Sequence, residues 1–267
     1  MYMKKFSVLA LVASFSFLTA CAEKQSGQPQ QDSQEKPKTE ATVAEKSEKT
    51  AEPTEKMVEP AVSGTADDKP TTTSSLNELQ PILAKRVLKV PASISKPKAR
   101  DFALVFCKQF PGFGANELLQ EYMNNPIAFK EKYVYVKVVD DRPNGYIKCE
   151  YIAPFDNQNN ETVEVCRWMR SNGHSLVGVW MYSDNEAGPV GRAYAFYDFD
   201  PATGLMTPDA PTLATVGNTI KRFSCDDVVM HLPQKGKDLK LDFLEFGNGD
   251  FYISNNATLH WTGNQFK

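Results

Sequence analysis

Hydrophobic residues fall into three regimes along the 267-residue chain. Residues 6–18 are almost continuously apolar, residues 22–75 almost wholly polar, and bulky apolar residues recur periodically from Leu76 onward. The periodic regime begins with a helical spacing. Ser75 followed by Glu78 matches a capping box, with Leu76, Leu79, Ile82 and Leu83 on or near one face. Pro81 interrupts this helix or starts it. Lys98 to Phe110 is the stronger helix, because Phe102, Phe106 and Phe110 recur every four residues and Leu104 and Val105 widen the stripe. Pro111 to Gly114 breaks the chain. Ala115 to Asn125 then forms a short amphipathic helix with Leu118, Leu119, Tyr122 and Met123.

After Lys132 the period changes to two. Strands are expected at Tyr133–Val139, Tyr146–Ile152, Thr162–Met169, Ser175–Tyr182 and Arg192–Phe199, each rich in aromatic and β-branched residues. Further strands are expected at Lys221–Met230, Leu239–Phe246, Phe251–Ile253 and Thr258–Trp261. Short turns between them, such as Asp141–Gly145, imply antiparallel pairing. The expected class is α+β, with N-terminal helices followed by an antiparallel β-meander sheet in a single domain over 76–267. A faint echo links the stretch 171–206 with 234–266; two weak copies are ordinary meander regularity, short of what a repeat fold requires.

The apolar run at the N-terminus follows Lys4 and Lys5 and gives way to polar residues after Cys21. A basic start, a short apolar stretch and small residues before a cut are the marks of a secretory signal, here residues 1–20. The run is shorter than the roughly 20 apolar residues that a spanning helix needs. Leu18, Thr19, Ala20 and Cys21 resemble the lipobox of bacterial lipoprotein precursors. The resemblance implies cleavage after Ala20, a diacylglyceryl thioether on Cys21 and acylation of the new amine. It therefore implies a membrane partner reached through covalent lipid, and two or more chains anchor stably where one does not. Ala22, in place of aspartate, fits sorting to the outer membrane of the cell envelope.

Residues 21–75 form the lipidated N-terminus and its tether. From Ala22 to Ser75 there is no aromatic residue, and the only apolar residues beyond alanine are Val43, Met57, Val58 and Val62. Such a segment cannot bury enough apolar surface to offset its chain entropy, which predicts a disordered tether. As a flexible coil it would span about 40 Å. Its 7 lysines face 11 acidic residues, whereas the domain carries 21 basic and 22 acidic residues. Near-neutrality of the domain argues against nucleic acid, which requires a basic surface.

Candidate chemistry in the domain is sparse. Cys107, Cys149, Cys166 and Cys225 are even in number, as in exported proteins with disulfides. Cys149 and Cys166 flank the 154–160 loop symmetrically and are the candidate disulfide. Face alternation opposes that bridge: Cys149 groups with Ile147 and Tyr151, but Cys166 groups with Glu164 and Trp168. None lies in a Cys-x-x-Cys motif. His174, His231 and His260 are scattered without zinc-ligand spacing, and His174, in a turn, is expected to be exposed. Asp198 and Asp200 suggest a calcium loop, but a turn closed by Gly204 explains them more simply. Asp226 and Asp227 read as a strand-end acid pair. No catalytic motif, cofactor or metal site is recognised, and the many strand aromatics read mainly as core and cross-strand pairs.

These features point to a non-enzymatic binding or structural module held at the cell envelope. A periplasmic or surface hydrolase acting on glycan or peptide is one alternative, and an inhibitor of a host or rival enzyme another. Two converging carboxylates or a Ser/His pair in a deep cleft would favour the hydrolase. An exposed aromatic patch would favour binding.

Overall fold

The computed structural model describes residues 75–155 and 158–267. The expected signal segment, Cys21 and the expected tether up to residue 74 lie outside the described residues. The first half runs α1 (Leu76–Leu83), β1 (Leu88–Lys89), α2 (Ala99–Gln109), α3 (Gly114–Asn124), α4 (Pro126–Lys132), β2 (Val136–Asp141) and β3 (Tyr146–Tyr151). The second half adds β4 (Asn160–Met169), β5 (Ser175–Asn185), β6 (Gly188–Asp200), β7 (Leu205–Pro208), α5 (Ala210–Arg222), β8 (Asp227–His231), β9 (Leu239–Gly247) and β10 (Asp250–Leu259). The α+β class stands. β2 to β7 form a meander that β1 extends into a seven-stranded antiparallel sheet ordered β1-β7-β6-β5-β4-β3-β2. β8, β9 and β10 form a separate three-stranded antiparallel sheet.

The large sheet is covered on both faces. Phe102, Phe106 and Leu119 of α2 and α3 pack with Val163, Val165, Val177, Val179 and Tyr197 on one face. Trp168, Trp180 and Phe196 on the other face pack with Val216 of α5 and with Val228, Leu241 and Phe243 of the small sheet. β5 is accordingly buried at its first seven positions, as a central strand between two layers must be.

Local chemistry sets the element ends. Ser75 Oγ accepts from the Asn77 amide at 3.3 Å and starts α1, with Pro81 inside the helix. Glu161 Oε2 accepts from the Ala115 amide at 2.8 Å, so a strand carboxylate caps α3. Asn125 caps α4 through the Ala128 amide, and Asp209 caps α5 through the Thr212 amide. β6 outlasts its neighbour β7, whose ladder covers only Tyr197 to Asp200. The Gln80 amide serves the uncovered stretch: Nε2 donates to Tyr194 O at 3.0 Å and Oε1 accepts from Tyr194 N at 2.8 Å.

Several expectations need correction. Helices are not confined to the front, because α5 separates the two sheets. The expected strand at Lys221–Met230 begins as the end of that helix, and only Asp227–His231 is extended. The two short strands expected at 251–253 and 258–261 are one strand, β10, with a register shift between Ile253 and Asn255. The strand expected from Tyr133 starts at Val136, after the unforeseen α4, and the short β1 that precedes both was not expected. The candidate bridge fails on register: Cys149 lies opposite Val163, whereas Cys166 lies opposite Tyr146. Cys149 joins the helix-side core and Cys166 the opposite one, so the sheet itself separates the two sulfurs. Cys107, Cys149, Cys166 and Cys225 are all free thiols.

Candidate functional site

β4 runs past the end of β3. Its pairing with β3 stops at Cys166 and the Arg167 amide takes the last contact, to Gly145 O at 2.9 Å, yet pairing with β5 continues to Met169. Trp168 and Met169 therefore have a strand neighbour on one side only. The open side is one wall of a cleft of about 380 Å³, within the range of small-molecule sites. The turn Arg142–Gly145, the start of α2 at Lys98 and Ala99, and Gly236, Lys237 and Trp261 complete it.

Cations and indoles dominate this lining. Arg142, Arg167, Lys98 and Lys237 all contribute, and among the described residues no carboxylate does. Asp140 partly balances Arg142 at 3.1 Å, but Arg167, Lys98 and Lys237 make no ion pair among the described residues. Arg167 is half-buried. Its Nε donates to Ser175 Oγ at 3.0 Å and one terminal nitrogen rests on the Met169 sulfur at 2.6 Å. Burial draws the guanidinium below its ordinary pKa, because no described residue of opposite charge repays its lost hydration.

The indoles are held from behind. Gly178 on β5 leaves room for Trp168: a Cβ there would lie 2.8 Å from Trp168 Cζ3 and 3.0 Å from Phe196 Cε1. Trp168 Nε1 donates to Lys237 O at 2.9 Å, and its ring meets Phe266 edge-on at 5.3 Å. Trp261, half-buried, packs on Phe266 at 5.2 Å and stands 6.1 Å from Trp168. Asp238 fixes its backbone at 3.2 Å.

A second polar cluster gathers around β6. Arg170 bonds Asp198 at 2.5 Å and Asp209 at 2.9 Å, and His174 Nδ1 meets Asp198 at 2.7 Å. His174 Nε2 faces Asp200 at 3.7 Å. His174 is thus half-buried and held by carboxylates, contrary to the exposure its turn suggested. A general base must present a ring nitrogen to its substrate, and here both nitrogens face carboxylates. The arrangement pins the β4–β5 turn to β6 and to the cap of α5. Asp200 also closes the expected turn. The Ala202 amide, with the Thr203 hydroxyl, holds its carboxyl below the usual range.

The remaining candidates stay apart. His231 pairs with Asp242 and His260 with Asp238. No group of three potential metal ligands occurs among the described residues. Asp226 accepts from the Phe246 amide, while Asp227 pairs with Arg192 across to the large sheet, so the two acids do different work. Glu161 and Glu164 are the desolvated glutamates of β4, and burial raises both carboxyls. Their odd spacing puts them on opposite faces of the sheet, which prevents them from converging on one bond. The cleft was not foreseen from the sequence, since its residues come from five separate segments without a motif. Arg167 beside Trp168 was the nearest local signal. The chain matches no protein-family model, no curated protein and no solved structure.

Proposed function

We propose that this protein is a lipid-anchored envelope lipoprotein whose domain is a binding module for an organic anion, taken up in the cleft beside β4. Arg167 carries this reading. A half-buried guanidinium without a carboxylate partner among the described residues, in a cleft lined by further cations, lacks the charge that would offset its desolvation. An anionic ligand supplies that charge with the planar, forked geometry that guanidinium favours. The lipobox resemblance at Cys21 supports the anchoring half of the reading, and the long polar segment behind it is consistent with a spacer.

Citrate is a suitable test anion. Titrated into the full chain, it should perturb tryptophan fluorescence at low salt and weaken as ionic strength rises. Arg167→Gln should cut the affinity about tenfold, the worth of a charged hydrogen bond. Equal affinity for the native chain and the variant would remove Arg167 from the site.

A further inference from the structure

We infer that the natural ligand of the cleft is a saccharide bearing an anionic group, with the anion on Arg167 and a sugar ring against Trp261. This rests on the anion-binding reading above and adds the body that carries the charge. A bare carboxylate or phosphate needs only the guanidinium, yet the cleft extends over about 380 Å³ and includes the Trp261 indole in its lining. Trp261 is half-buried: Phe266 and Trp168 pack against it, and it contributes to the lining of the cleft. An indole face offers dispersion contact to the C–H face of a sugar ring, a contact that a bare ion cannot use.

The polar rim suits hydroxyl groups. The overhanging edge of Trp168 and Met169 has backbone without a strand neighbour, and Gly236 stands exposed with no atom within 4 Å of where a Cβ would be. Lys98 and Lys237 stand in the two flanking segments and widen the positive field around Arg167. An acidic peptide fits less well. Strand addition needs a longer edge than two residues, since strands run about 3–10 residues. A compact ring with one or more charges uses every wall of the cleft.

The test compares four probes on the full chain by calorimetry: trigalacturonate, neutral galactotriose, citrate and a triaspartate peptide. Trigalacturonate should bind at least tenfold tighter than each of the others. Arg167→Gln and the exposed Lys237→Gln should each weaken it severalfold or more, while leaving the unfolding midpoint within a degree or two. Trp261→Phe should lose part of the trigalacturonate affinity and none of the citrate affinity. If citrate or triaspartate binds as tightly as trigalacturonate, the saccharide inference is overturned and the anion site stands. If galactotriose matches trigalacturonate, both the charge on the ligand and the role of Arg167 are refuted. Binding by none of the four at millimolar concentration overturns the anion site as well.

Discussion

Single residues set the geometry of the cleft from behind it. Gly178 matters for space alone, because its backbone is an ordinary strand and the Trp168 indole lies across it. Gly178→Ala forces Trp168 or Phe196 to move and should cost about 1–3 kcal/mol, as overpacking does. Denaturant unfolding measures the loss, and an unchanged midpoint would mean that the indole has room to spare. Glu164 is the second such residue. Its carboxyl is buried under the small sheet, accepts from the Leu232 amide at 3.2 Å and stands 3.5 Å from Lys148. Burial outweighs these partners and raises its pKa above the ordinary 4.5. The folded state therefore holds this proton more tightly than the unfolded chain does. The resulting penalty is absent below pH 4.5 and grows as pH rises through the shifted value. Glu164→Gln should flatten the fall in stability from pH 4.5 towards neutrality. Unfolding curves at stepped pH would show it, and parallel profiles for native and variant would contradict it.

Among the elements, α1 is attached by more than its apolar face. Gln80 stands in for a missing strand beside β6, making two hydrogen bonds to Tyr194. Gln80→Leu keeps the size but leaves both backbone groups unpaired, at about 1–3 kcal/mol. Amide exchange at Tyr194 should accelerate with the loss, and unchanged protection would deny the contact its role. Elements with a clean period were legible in the sequence. Phe102 and Phe106 placed α2 to within a residue, and β3, β4 and β9 lie close to their expected ranges. α5 was missed because its Thr- and Ala-rich turns bury only Thr212, Val216 and Thr219, too weak a stripe to outweigh the β-branched residues. Its Asp209 cap and Pro211 were nonetheless visible start signals. β1 and β7 are short; β7 pairs with β6 and β1 adds to β7, which is a tertiary cause that no local pattern records.

Across the described residues, the N-terminal helices, the large sheet, and the small sheet with α5 make three layers. The cleft lies where β4 overruns β3 and all three contribute a wall. That explains why the site was illegible beforehand: Lys98, Arg142, Arg167 and Lys237 are far apart in sequence and meet only after both packing events. Only the cleft's aromatics were visible, and they read as core, which is true of Trp168 and half true of Trp261. Anchoring belongs to the same scale. In cells fed a clickable fatty acid, the native chain should take up label and remain in the membrane fraction, whereas Cys21→Ser should do neither. Equal labelling of both would remove the lipobox reading without touching the cleft.

Where an anion binds decides the role of Arg167, and the three tryptophans report it. Trp168 and Trp261 line the cleft, while Trp180 is 1% exposed in the interior and stacked on Tyr182 at 5.8 Å. Indole N–H resonances of the full chain, followed by nitrogen-15 correlation spectra during a citrate titration, separate the three. The Trp168 and Trp261 signals should shift together and saturate, with Trp180 unmoved and the response lost in Arg167→Gln. Shifts confined to Trp180, or an equal response in the variant, would contradict an anion site on Arg167.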